Sequence, residues 1–131
     1  MAIDVLIIDS EVKVAAGLRD FLVEHGISAI IADDPNGAIE LARSQQPLFI
    51  VLAVELQRAN GYSLCNRIKK DPAQSAIPLL LTSAQASDET FREHRRLKTH
   101  ADAYLKKPYN YTQVLEIYQR LVRQRPEDTT D

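Results

Sequence analysis

Four short apolar runs and a still shorter fifth punctuate the chain, and after each the apolar residues recur at helical spacing. The runs occupy residues 3–8, 27–32, 48–52, 77–82 and 104–106. Each has strand length, and the first four are rich in β-branched residues or leucine, which marks buried strands. Strands alternating with helices can pair in parallel only through right-handed crossovers, so the helices must cover both faces of one sheet. The pattern predicts a doubly wound α/β domain with five parallel strands in the order 2-1-3-4-5.

The helix boundaries are also written in the sequence. Val12, Ala15, Leu18, Phe21 and Leu22 form one apolar face, and Gly26 supplies a left-handed stop. Asp34 is placed to cap a second helix that begins at Pro35 and stops at Pro47. A third is expected over 61–70, burying Leu64, Cys65 and Ile68 and ending at Asp71-Pro72. Ser87, with Thr90 three residues on, caps a charged fourth helix over about 88–98. Asn110 is expected to cap the last, which uses Val114, Ile117, Leu121 and Val122. The domain is expected to occupy residues 1–124, with 125–131 a polar acidic tail or the start of a linker.

Composition narrows the class without naming a function. A chain of 131 residues suits one core, and a net charge of −2 gives no basic field for nucleic acid or anionic lipid. No run approaches the roughly 20 apolar residues of a membrane span, and the start lacks the pattern of a secretory signal. The single cysteine rules out an internal disulfide and agrees with a cytoplasmic setting. Neither phosphate-cradling glycine motif is present, which argues against nucleotide binding. The three histidines lack metal-ligand spacing and are expected to be solvated or capping, while Cys65 is expected in the core.

Chemistry in such a sheet gathers outside the carboxyl ends of the strands, where strands 1 and 3 diverge. The loops there bring together Asp9, Ser10, Ala53, Ser83 and Lys107. Ala53 closes a buried strand and places a methyl group where the crevice would hold a polar side chain.

At these positions the chain resembles the receiver domain of bacterial response regulators in two-component signalling, and the match spans nearly its whole length. The residues that carry it are Val5-Leu6-Ile7-Ile8-Asp9, Leu52-Ala53 with Asn60-Gly61-Tyr62, Pro78 through Ser83-Ala84, and 101–108 ending in Lys106-Lys107-Pro108. The resemblance implies a flavodoxin-like fold whose aspartate takes a phosphoryl group from a histidine kinase. It implies that Asp9 is the first of two Mg²⁺-binding acids, with Ser10 standing where the second belongs. It places Ala53 at the phosphoacceptor, Ser83 as the hydroxyl that binds the phosphoryl group and Lys107 as its cationic partner. Tyr104 matches the aromatic residue that rotates on activation, and the Lys107-Pro108 bond is implied to be cis.

Two carboxylates of that pattern are missing. Alanine offers no nucleophile, and a divalent cation needs more carboxylate than Asp9 alone. Mg²⁺ binding is therefore expected to be weak or absent, no cofactor is expected, and Asp9 is expected to pair with Lys107 in a near-neutral pocket. Glu55, two residues past Ala53, is expected toward the pocket rim.

The leading expectation is a non-enzymatic pseudo-receiver that works by binding protein. The alternative is a phosphorylation switch whose acceptor is Glu55 or Asp9, and a remote one is a flavodoxin-like protein holding a small cofactor. Arg92, His94, Arg95, Arg96 and Lys98, beside Tyr104 and Lys106, form a basic patch read either as a solvated helix face or as a docking surface. The resemblance favours a protein partner, or a second copy of the chain, on the face of helix 4, strand 5 and helix 5. Tyr111, Tyr118 and Gln119 would continue that surface.

Overall fold

The computed structural model describes residues 3–32 and 34–123. The expected acidic tail, its boundary at 124, and Asp33 lie outside the described residues. In chain order the elements are β1 (Val5–Ile8), α1 (Val12–Glu24), β2 (Ala29–Ala32), α2 (Pro35–Gln45), β3 (Phe49–Ala53), β4 (Glu55–Leu56), β5 (Ala59–Asn60), α3 (Gly61–Lys70), β6 (Leu79–Ser83), α4 (Asp88–Arg95), β7 (Ala103–Lys106) and α5 (Tyr111–Arg123). The main sheet runs β2-β1-β3-β6-β7, every pair parallel. That is the expected 2-1-3-4-5 order, with the fourth and fifth strands renumbered by a small antiparallel hairpin, β4-β5.

Strand alternation sorts the core into two layers, because successive side chains point to opposite faces. Leu6, Ile8, Ile50, Leu52, Leu79 and Leu81 pack with Ala38, Ile39 and Ala42 of α2 and with Leu64, Cys65 and Ile68 of α3. Val5, Ile7, Phe49, Val51 and Leu80 pack with Ala15, Leu18 and Leu22 of α1 and Val114 of α5. Each fully buried leucine or isoleucine contributes about 2 kcal/mol relative to an exposed one. Cys65 is a core residue, as its apolar surroundings predict; burial pushes its thiol up to about 12.

The caps follow the sequence in most places. Asp34 accepts from the Gly37 N–H with Pro35 opening α2, and Ser87 accepts from the Thr90 N–H at the start of α4. Gly26 takes φ +79° just past α1. The expected Asn110 cap is reversed: the Gln113 side chain accepts from the Asn110 N–H. Helix α4 also stops at Arg95 rather than near residue 98, and its C-cap N–H bonds back within the helix.

Gly61 ties the fold to the crevice. Its N–H donates to the Val54 carbonyl at 2.8 Å, and a Cβ built there would lie 2.1 Å from the Ala53 carbonyl oxygen. The obstacle is backbone, so the end of β3 and the start of α3 would have to separate. Gly61→Ala is therefore expected to cost about 2–3 kcal/mol, read as a lower urea midpoint at unchanged slope; a midpoint equal to wild type would refute this account of the contact.

Candidate functional site

The carboxyl ends of β1, β3, β6 and β7 meet on one edge of the sheet. The parallel registers set Ile8 beside Leu52, Ala53 beside Thr82, and Ser83 beside Lys106. Each strand therefore delivers its next residue into one crevice. Asp9 is 3% exposed, Ser83 1% and Ala53 fully buried. Lys107 enters from the opposite side on a cis Lys107-Pro108 bond, after its backbone N–H donates to the Ser83 carbonyl.

The Lys107 ammonium sits 2.9 Å from Asp9 Oδ2 and also donates to Glu11 Oε1. Burial disfavours its charge, but the bonds from Glu11 and Asp9 outweigh that and hold its pKa above the ordinary value. Asp9 Oδ1 accepts from the Glu11 N–H, so the loop after β1 wraps around the carboxylate it feeds. The expected Asp9–Lys107 pairing, direct or through water, is a direct contact. The expected one-to-one charge balance is corrected, because Glu11 brings a second carboxylate from the exposed rim. Sequence reasoning missed Glu11; its signal was its place, two residues past Asp9 at the mouth of the same loop.

Glu55 stands half-buried at the mouth of the crevice, the rim position expected of it, and turns its carboxylate inward. Ser83 Oγ donates to Glu55 Oε2 at 2.5 Å, and the Ala84 N–H donates to Oε1 at 3.0 Å. Burial opposes ionisation of this carboxyl, yet the Ser83 hydroxyl and the Ala84 N–H together draw its pKa below the usual value. Ser83 Oγ in turn accepts from the N–H groups of Gln85 and Ala86, at 3.1 and 2.9 Å. Ser10 does not face Lys107 in any bond of the site; its hydroxyl accepts from the Gln57 N–H and anchors the β4-β5 hairpin. Among the described residues no group of three or more His, Cys, Asp or Glu side chains is placed to hold a metal ion.

Tyr104 belongs to a second polar cluster behind the crevice. The Ala101 N–H donates to its Oη, so the Tyr104 proton goes to His94 Nδ1 at 2.7 Å. His94 Nε2 then carries the ring proton and faces Asn66 Oδ1 at 3.3 Å, which also accepts from the Thr99 hydroxyl. Burial, followed by the charge of His100, lowers the His94 pKa and keeps the ring neutral. His94 is 7% exposed, which corrects the expectation of a solvated or capping side chain. The Arg95 guanidinium lies 4.6 Å from the Tyr104 ring centroid.

Arg92, Arg95, Tyr104 and Lys106 line one open groove of about 330 Å³ with Phe91 and Asp88. Arg96 is exposed and stands outside that lining. Tyr111 and Tyr118 of α5 are half-buried: Tyr111 packs on Phe21, and Tyr118 meets Phe49 edge to face. Gln119 is exposed. No helix among the described residues is long and apolar enough to cross a membrane.

This geometry has counterparts among known proteins. Response regulator MprA of Mycobacterium tuberculosis is 28% identical over the whole of this chain, which spans 56% of that protein. Adventurous-gliding motility protein Z of Myxococcus xanthus is 27% identical over 95% of this chain, which spans 9% of that much longer protein. The receiver domain of a Francisella response regulator superposes with a TM-score of 0.83 at 26% identity, covering 92% of this chain and 97% of that one. The chain thus spans about half, or far less, of the curated relatives it matches. The family model of the response regulator receiver domain matches residues 5–119, and with the sheet order and the crevice in place the chain belongs to that family.

Proposed function

We propose that this receiver domain works without phosphorylation, as a binding module that presents a fixed surface to a protein partner. The observation that carries the reading is Ala53: a buried methyl group stands at the acceptor position, at the end of β3 between Asp9 and Ser83 in sheet order. Phosphoryl transfer to an aspartate needs an oxygen nucleophile and a charge-neutralising cation. The carboxylates nearby are already engaged. Asp9 is bonded to Lys107 and to the Glu11 N–H, while Glu55 is bonded to Ser83 and Ala84. Using either as the acceptor would require breaking those bonds first.

The residues present do not fit a Mg²⁺ ion. Ser10 and Ala53 supply no charge, Asp9 has an ammonium against one oxygen and a backbone N–H against the other, and Glu11 and Glu55 are bonded to Lys107 and to Ser83 with Ala84. A hard divalent cation held by one or two carboxylates would have to displace Lys107. The partner surface supported best is the groove of α4 and β7, where two arginines and a lysine border Tyr104 and Phe91.

Four outcomes follow from this reading. Incubated with Mg²⁺ and a small phosphodonor, the protein is expected to keep its intact mass; a stoichiometric gain of one phosphoryl group would sink the proposal, and loss of that gain in Glu55→Gln would assign the acceptor. Ala53→Asp alone is expected to bind Mg²⁺ much more weakly than Ala53→Asp/Ser10→Asp in a calorimetric titration, and equal affinities would contradict this account of the donor set. Asp9→Ala, which leaves a buried ammonium with only an exposed partner, is expected to cost about 3 kcal/mol in urea unfolding, against about 1 kcal/mol or less for Glu11→Gln. Because Lys107 has a raised pKa, its contribution is complete below the ordinary lysine value of 10.5 and is lost as pH rises through the raised value. A Lys107→Met variant should lack that alkaline loss.

A further inference from the structure

The Glu55–Ser83 contact has more order than a chance surface bond. A serine hydroxyl has one proton to give and two lone pairs to accept with. At Ser83 both lone pairs are taken by the Gln85 and Ala86 N–H groups, so the one proton is committed to Glu55 Oε2. The other oxygen of the same carboxylate takes the Ala84 N–H. Four consecutive residues, 83–86, thus place one O–H and three N–H groups on a single serine–carboxylate unit. Ala84 and Gln85 are exposed and Ala86 only half-buried, so little side-chain packing competes with these bonds in setting the loop.

The opposite end is equally built. Glu55 opens the β4-β5 hairpin and pairs with Asn60, whose side chain caps α3. The hairpin turns through Arg58 at φ +64°, a conformation a non-glycine residue adopts only when its surroundings hold it. The Gln57 N–H of that turn is bonded to Ser10 Oγ. Residues on three loops therefore hold one carboxylate in one place. Lys107 takes no part, since its bonds go to Asp9 and Glu11.

We propose that the Glu55 carboxylate is a resident, tethered ligand held by the Ser83 hydroxyl and the Ala84 N–H, filling the oxyanion subsite that the resemblance assigns to the phosphoryl group. The chain carries its own anion at the mouth of the crevice. With that ligand in place the 84–86 loop is held in one conformation, and so is the Ser87 cap that starts α4. This deepens the reading of a fixed, phosphorylation-independent surface and rests on it: the subsite is filled by a group that can neither leave nor be hydrolysed.

Removal of the ligand should open the subsite to a free oxyanion of similar shape. The test is amide hydrogen exchange and chemical-shift titration with inorganic phosphate on the full chain, comparing wild type, Glu55→Ala and Glu55→Gln. In Glu55→Ala the Ala84, Gln85 and Ala86 amides are expected to lose about ten- to a hundredfold in protection, the equivalent of one charge-assisted bond. Phosphate should then shift the Ala84 amide saturably and restore protection, while the wild-type amide stays put. Glu55→Gln, which keeps the shape but can no longer accept both bonds, should fall between the two. Should the alanine variant not fold, judged by protection at Leu80 and Leu81, the glutamine variant carries the test through Ala84 exchange alone. Equal protection in wild type and variant, or a phosphate shift of equal size in wild type, would overturn the proposal. A phosphodonor experiment reads separately: covalent phosphorylation of wild type would overturn the fixed-surface reading, whereas the exchange pattern decides the role of Glu55.

Discussion

An ammonium buried at the end of a parallel sheet must be compensated, and the crevice is arranged around that requirement. Lys107 is 6% exposed and so is Asp9 nearly, at 3%. Leaving either alone in such surroundings costs several kcal/mol. Compensation comes from the loop after β1, where Asp9 binds directly and Glu11 reaches in from the rim. The Lys107 N–H on the Ser83 carbonyl fixes the backbone from which the lysine side chain reaches that loop. This pair joins the first strand of the chain to the loop after its last.

The second compensation is independent of the first. Ser83 lies one residue past the register partner of Ala53, and its hydroxyl proton needs an acceptor in a nearly closed space. Glu55 supplies it. The methyl group of Ala53 places no second negative charge at the end of β3, and the Glu55 carboxylate stands nearby without like-charge repulsion from that position. The residue at position 53 thus agrees with the one two places on. Lys107 and Ser83, which the family resemblance unites around one phosphoryl group, have separate anionic partners in this chain.

The architecture was legible because it rests on repetition. Apolar strands, proline and glycine punctuation and N-cap residues recur through the chain, and each local signal points to the same topology. The convergence of Asp9, Ala53, Ser83 and Lys107 followed from topology alone. What the sequence hid depends on where a flexible side chain turns. Glu11 reads as a loop acid and Glu55 as an acid at the pocket rim, and nothing in their spacing says that one bends toward a lysine and the other toward a serine. The β4-β5 hairpin has two-residue strands, too short for periodicity to register. His94 looked like part of a basic face because its neighbours Arg92, Arg95 and Arg96 are charged; only the packing of α4 on Tyr62 and Tyr104 turns it inward. Tyr111 and Tyr118 are half-buried, since a tyrosine ring can pack against the core, here beside Phe21 and Phe49, while part of the side chain stays exposed.

The buried His94–Tyr104 pair connects the crevice to the surface in physical terms. Tyr104 has one hydroxyl proton, and the Ala101 N–H fixes which way it points. Neutral His94 accepts it, so the tyrosine ring is held beneath Arg95 and against Phe91. Those same residues line the basic groove. The loop that starts α4 is bonded to Ser83 and Glu55, and His94 near the end of α4 is bonded to Tyr104. A helix tied at both places has little freedom to reposition its arginines. On the proposed reading the groove would meet a partner already shaped, and affinity there would not have to offset the ordering of α4.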